Sequence, residues 1–186
     1  VSCPGPHSQT YAGIGSRETP EDVLAEMRGI ARRLGALGFG LRTGGADGAD
    51  EAFRVGANGY PMQIFTPWRG FIRQPEVDAR AVVVTECDCY EEALKIAEQY
   101  HPNWSACSQG ARKLHARNVM QVMGQDLCTY SQFVVCWTKT GGAYGGTGQA
   151  LRVAQGVGVP VWNLKNPEER EWLLRTLRNL EEVAGA

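Results

Sequence analysis

The chain has no run of apolar residues near the roughly 20 that a membrane-spanning helix needs, which excludes a spanning helix. It has no excess of either charge. Its 19 Lys and Arg stand against 20 Asp and Glu, for a formal net charge of -1. Nucleic-acid binders usually carry a basic excess or stripe, so nucleic acid is not an expected partner. No C-x-x-C pair occurs among the six cysteines. The one close pair is Cys87 and Cys89, and His7, His101 and His115 show no zinc-like spacing beside it. The expectation is no metal, no cofactor, and ordinary thiols of a reducing compartment. The first residues, Val-Ser-Cys-Pro-Gly-Pro, lack the charged and apolar regions of a signal peptide. The expected location is therefore cytoplasmic. No internal repeat and no low-complexity segment is present.

What the chain does have is enough apolar residue for a packed core, 43% of 186 residues. That length fits one domain. Residues 1–9 are polar and rich in Pro and Gly, which predicts a tail, with a single domain over 10–186. Strands are expected at Thr10 to Ile14, Phe39 to Thr43, Met62 to Phe65, Ala81 to Thr85, Gln132 to Trp137 and Val159 to Leu164. A helix begins after Thr19-Pro20-Glu21-Asp22, with Thr19 as the capping residue and Pro20 at the first position. Val23, Leu24, Met27, Ile30, Ala31, Leu34 and Leu37 then recur at helical spacing. Further helices are expected over Asp47 to Ala57, about 90–100 and 108–124, Thr147 to Gln155 and Pro167 to Val183. The segment Thr66 to Arg80 reads as irregular. Strands alternating with helices through short turns predict an α/β, Rossmann-like three-layer sandwich with a mostly parallel sheet.

Three glycine-rich turns each follow an apolar run and open a helix. The first carries Gly13, Gly15, Ser16 and Arg17. The second carries Thr43, Gly44, Gly45, Ala46 and Asp50. The third carries Gly142, Tyr144, Gly145, Gly146 and Thr147, with Gln149 just beyond. The first and third are expected at opposite ends of one sheet. Such turns present backbone N–H groups at a helix N-terminus, where phosphate binds. In an open parallel sheet all three face the carboxyl edge, where ligands bind. These residues, with Arg117, form the expected ligand site. The competing reading is that the glycines only make tight turns. Asp47, Asp50 and Glu51 start a helix and suit its dipole, although one carboxylate there can also reach a ribose. Trp68, Phe71, Trp104 and Tyr144 are loop aromatics, either anchors or a base-stacking surface. Trp172, Leu173, Leu177 and Leu180 read as core or as a subunit contact.

The residues Gly15-Ser16-Arg17, followed by Thr43-Gly44-Gly45-Ala46-x-Gly48-x-Asp50, resemble the opening of the DprA/LOG (SLOG) superfamily of Rossmann-like nucleotide-binding proteins. His115-Ala116-Arg117-Asn118, followed by Met120, is similar both to the R-N segment of DprA-type proteins and to the M-H-x-R-K-x-x-M segment of LOG-type phosphoribohydrolases. Gly142 to Thr147 fall where LOG proteins carry P-G-G-x-G-T-x-x-E. The resemblance spans roughly residues 10–164. It implies a nucleotide-like ligand and, as in LOG-type relatives, a homo-oligomer. It also departs from the enzymatic pattern. Arg117 matches the family arginine and Thr147 its threonine, but the catalytic glutamate falls on Ala150, with neutral Gln149 beside it, and the proline is missing. A neutral amide cannot accept a proton as a carboxylate does.

Members of the superfamily are implied in nucleotide-signal sensing, including ADP-ribose-derived signals in conflict between bacteria and phages. A pocket without its acid suits a protein that binds an ADP-ribose-type or cyclic nucleotide signal and sequesters it, as a phage anti-defence sponge. The alternative is a nucleoside 5′-monophosphate phosphoribohydrolase, with Arg117, Asp50 and Gln149 as the candidate catalytic set and Asp47 or Asp126 as other acids. A DprA-like single-stranded DNA-binding protein is the third reading.

Overall fold

The structure, a computed structural model, describes residues 9–185. The expected tail therefore lies outside the described residues except for Gln9. The Gln9 carbonyl accepts the Gly40 N–H at 2.7 Å, which extends the β1–β2 ladder by one bond.

Six strands form one sheet: β1 (Thr10–Gly13), β2 (Gly40–Gly44), β3 (Met62–Thr66), β4 (Val82–Val83), β5 (Val134–Cys136) and β6 (Val161–Asn163). Their order is β4-β3-β2-β1-β5-β6. Every pairing is parallel, with registers such as Ala12↔Arg42 and Ala12↔Val134. The strand order reverses at β1, because β2 lies on one side of it and β5 on the other. The first and third glycine turns thus end neighbouring central strands, not opposite ends of the sheet. A reversal of this kind opens a crevice beyond the carboxyl ends of the two strands.

The helices are α1 (Glu21–Ala36), α2 (Ala49–Gly56), α3 (Pro75–Asp78), α4 (Tyr90–Tyr100), α5 (Gln109–Met123), α6 (Gly145–Gly156) and α7 (Pro167–Ala184). Successive strand side chains point to opposite faces, and the core divides accordingly. Tyr11, Leu41 and Val135 pack with Met27, Ile30, Leu34, Phe53, Leu173 and Leu177 of α1, α2 and α7. Ala12, Phe65, Val134 and Cys136 pack with Ala93, Ala97, Ala116, Met120 and Leu151 of α4, α5 and α6. The result is the three-layer arrangement the alternation predicts.

Two local expectations change. Thr19 does not cap α1. Its hydroxyl donates to the Ser16 carbonyl at 2.7 Å, and Pro20 occupies the cap position without a side-chain bond. The irregular stretch after β3 contains α3, whose Val77 packs with Ile64 and Ile72 in a small separate cluster. This cluster anchors the loop that forms one wall of the crevice.

Candidate functional site

A cleft of about 710 Å³ occupies the crevice at the switch between β1 and β5. Its floor is the turn Gly15–Arg17 after β1 and the turn Gly45–Ala46 after β2. One wall is α5, the other the loop with Phe71 and Ile72, and the N-terminus of α6 closes the end.

The first turn is held by backbone bonds. The Ser16 N–H reaches the Trp137 carbonyl at 3.2 Å, and the Ser16 carbonyl accepts from Thr19 and from the Ala49 N–H at 3.4 Å. The start of α2 is thereby seated on the Ser16–Arg17 turn. Gly48 makes that seating possible. It has φ +83°, and a Cβ there would press on the Arg17 backbone. Arg17 stands exposed at the rim. The Ser16 hydroxyl accepts the Glu18 N–H at 3.0 Å, which leaves its own proton for a ligand.

The centre of the cleft is a buried ion pair. Arg117 on α5 reaches Asp50 on α2 at 3.1 Å, with side chains 9% and 3% exposed. The same Nη1 donates to Gln121 Oε1 at 3.2 Å, and the Asp50 carboxylate also accepts the Ala46 N–H at 3.4 Å. Burial pushes the Asp50 carboxyl up, while the Arg117 guanidinium draws it back down. Gly44 is a glycine because a Cβ there would overlap both Arg117 Nη1 and the Asp50 carboxylate. Arg117 Nε has no hydrogen-bond partner among the described residues.

At the far end, the ladder of α6 begins with Gly148 N–H bonding to the Tyr144 carbonyl at 2.9 Å. The N–H groups of Gly145, Gly146 and Thr147 precede that ladder and are the free donors of a helix N-terminus. Asn118 of α5 fixes this end by donating to the Gly146 carbonyl at 3.0 Å. Tyr144 is 61% exposed and lines the cleft, as does Phe71, which meets Trp68 edge-on at 5.3 Å.

The fold brings Gly15, Ser16, Arg17, Gly45, Ala46, Asp50, Arg117, Tyr144, Gly145, Gly146 and Thr147 to one cleft, with Ala150 beside them. Five expected residues are used elsewhere. Gly13 abuts the Phe53 ring, where a side chain would collide. Thr43 is fully buried, and its hydroxyl bonds the Gly13 carbonyl at 2.7 Å. Gly44 makes room for the ion pair. The Gly142 carbonyl accepts from Thr138 Oγ1 at 2.8 Å, outside the cleft lining. Gln149 is fully buried, donating to the Ala97 carbonyl at 2.8 Å and accepting from Arg152 at 3.0 Å. Its amide therefore ties α6 to α4 rather than facing a ligand.

Cleft residues that the sequence reading did not single out include Arg54, Arg73, Gln121, Thr138 and Lys139. A signal for part of this set existed. Ala111, Leu114, His115, Asn118 and Gln121 follow one helical stripe. Burial lowers the pKa of His115 at this wall to about 4, with His101, Arg152 and Arg117 adding to the effect. The sequence spacing alone does not show which of these side chains become neighbours. The fold brings His101, Cys107 and His115 together, with one potential ligand atom from each lying within 4.8 Å of the others.

No family model and no curated protein matches the chain. A solved structure of DNA processing protein A from Helicobacter pylori shares the fold, with a TM-score of 0.58 and 17% identity over 93% of this chain and 82% of that one. That structure is described for its single-stranded DNA binding mode. Among the described residues, no helix is long and apolar enough to cross a membrane.

Proposed function

We propose that this chain binds a phosphate-bearing nucleotide-type small molecule in the switch-point cleft and holds it without cleaving it. The observation that carries this reading is the convergence of two helix N-termini, α2 and α6, on one cleft of about 710 Å³. That volume lies within the few hundred to about 1,000 Å³ of small-molecule sites. The α6 N–H groups, Arg17 and Lys139 take the phosphates. Tyr144 or Phe71 takes the base by stacking. The cleft carries the cations Arg17, Arg54, Arg73, Arg117 and Lys139 against the acids Glu18, Asp47, Asp50 and Glu51. This near balance suits a compact ligand better than a long polyanion.

Two positions support retention over cleavage. Asp50 is committed to Arg117, and Ala150 stands in the cleft where the resembling enzymes carry a glutamate. Sequestration of an ADP-ribose-type or cyclic nucleotide signal is the role this chemistry serves, and the anti-defence sponge is its biological form. The test is calorimetric titration with AMP, ADP-ribose and cyclic dinucleotides, followed by mass spectrometry of the bound fraction. Recovery of one intact nucleotide, with affinity lost in Arg17→Ala and Tyr144→Ala, is expected. Accumulation of free base would instead establish the phosphoribohydrolase.

The fold shared with DNA processing protein A favours one second reading, single-stranded DNA binding. It predicts affinity for an oligonucleotide that falls steeply with salt, and competition by that oligonucleotide for the same cleft.

A further inference from the structure

We propose that His101, Cys107 and His115 form a binding site for a borderline-soft divalent metal such as Zn²⁺, a three-ligand set of two imidazoles and one thiolate with a fourth position open. The three residues come from a short stretch that the fold bends back on itself. His101 follows the last residue of α4. A single helical turn, Trp104–Ala106, then reverses the chain and delivers Cys107. Ser108 caps α5 by accepting the Ala111 N–H at 3.2 Å, and the next turns of that helix present His115.

The His101–Cys107 spacing suits tetrahedral coordination, and His115 lies within 4.8 Å of both. Zinc bonds of about 2.3 Å to sulfur and about 2.0–2.1 Å to nitrogen place an S and an N ligand roughly 3.5 Å apart. Cys107 Sγ lies 3.6 Å from His101 Nε2 and 3.8 Å from Nδ1. The two imidazole rings are 4.6 Å apart, centre to centre. His115 is 9% exposed, and its buried Nδ1 has no hydrogen-bond partner among the described residues. An orphaned buried ring nitrogen is costly, and coordination through this ring is one way to use it. Trp104 closes over the cluster, 5.9 Å from the His101 ring and 6.1 Å from the His115 ring. Structural zinc sites use four protein ligands, whereas three leave a place for water or a ligand. His115 also lines the cleft, so the ion would sit at its wall.

Binding has a defined cost and a built-in reporter. The Cys107 thiol must release its proton to solvent as the metal–sulfur bond forms. In the metal-free arrangement, His101 Nδ1 accepts the Asn103 N–H at 3.1 Å. Coordination through Nδ1 displaces that bond. Coordination through Nε2 makes Nδ1 the protonated nitrogen and breaks it as well. Either way the Asn103 amide loses its acceptor.

The site needs no nucleotide, so its test is independent of the function proposed above. Full-length protein stripped with a chelator is titrated with Co²⁺ as the probe, then with Zn²⁺ as competitor. Expected are one ion per chain, a thiolate-to-cobalt charge-transfer band, a shifted Asn103 amide resonance, and displacement by Zn²⁺. Cys107→Ser should abolish the charge-transfer band. His101→Gln should weaken binding by more than the roughly 10–100-fold typical of losing an outer-shell partner. Both positions are only partly buried, so the variants should keep the wild-type amide spectrum elsewhere. A paired Cys87→Ser and Cys89→Ser control should leave the band intact. A band that survives in Cys107→Ser, one lost in the control, or no stoichiometric uptake would overturn the assignment.

Discussion

Replacing Arg117 by Ala should be among the most damaging single changes in the protein, and its cost should depend on pH. The pair it breaks is buried on both sides, with 9% and 3% of the side chains exposed. Removing one partner of a buried pair typically costs about 3–5 kcal/mol, because the remaining charge is left without compensation. For a domain of this size each kcal/mol lowers Tm by roughly 2–4 °C, so a fall of roughly 6–20 °C is expected by scanning calorimetry. Burial already pushes the Asp50 carboxyl up, and Arg117 is the main force drawing it back. In the variant only the Ala46 and Gly15 backbone hydrogen bonds still oppose burial, and the folded state shifts toward a neutral Asp50. A folded pKa above the unfolded value of about 3.9 means the folded state binds more protons in between. Stability of the variant then falls as pH rises through that window. The gap between variant and wild type should therefore narrow near pH 4 and widen toward pH 7. Asp50→Asn should recover part of the loss when added to Arg117→Ala, since it removes the stranded charge. A loss below about 1 kcal/mol, as for an exposed pair, would refute the reasoning. So would a penalty independent of pH.

Gly48→Ala should destabilise by at least the 1–3 kcal/mol or so typical of a non-glycine held at positive φ, because a Cβ also presses on the Arg17 backbone; urea unfolding measures it. Burial is the largest single influence on Asp126 and raises it, but the hydrogen bonds from Thr129 and Cys128 together outweigh it and hold the carboxyl below its usual range. Its contribution should be present above about pH 3.9 and lost as pH falls through the lower folded value, so Asp126→Asn should differ from wild type at neutral pH and converge in acid melts. Trp172, Leu180 and Val183 are exposed apolar residues of α7. If this face pairs two copies, Leu180→Glu should halve the mass seen by light scattering, and an unchanged mass rules that face out.

Much of the architecture was legible because hydrophobic periodicity reports local structure directly. The Met27, Ile30, Ala31, Leu34 stripe marks α1, and short apolar runs bounded by turns mark the strands. What periodicity cannot report is which strands are neighbours. Nothing in the residues of β5 says that it pairs with β1, so the first and third turns were expected at opposite ends of the sheet. For the cleft, the same limit separates glycines of equal appearance. Gly15 and Gly44 look alike in sequence, yet one lines the cleft and the other makes room for a guanidinium. Gln149 belongs to the expected ligand site because it follows a phosphate-type turn. Its burial against the Ala97 carbonyl is set by α4, some fifty residues away in sequence. His101, Cys107 and His115 show the same limit: a helical turn, not a short regular spacing, brings them together.

On the proposed reading, the distinction between holding and cutting a nucleotide can be tested at position 150. Ala150 is 1% exposed in the protein alone and contributes to the cleft wall. Its neighbours on α6 are already fixed, by Gln149 to α4 and by Asn118 to the Gly146 carbonyl, so a new side chain at 150 enters a rigid setting. Ala150→Glu would place a carboxylate where the resembling hydrolases carry theirs. A glycosidic bond breaks through an oxocarbenium-like state that a nearby carboxylate stabilises. The substitution buries a charge at some cost in stability, and Arg117 is engaged by Asp50, so the new acid is expected to ionise only once the cleft is filled with ligand and a positive centre develops beside it. The expected outcome is slow release of free base from a nucleoside monophosphate by Ala150→Glu, with none from wild type, followed by chromatography of the products. If the variant folds and binds the nucleotide as wild type does yet releases no base, the sugar does not lie beside residue 150. The missing glutamate would then not be what makes this cleft a holding site, and the ligand's orientation would have to differ from that in the enzymes it resembles.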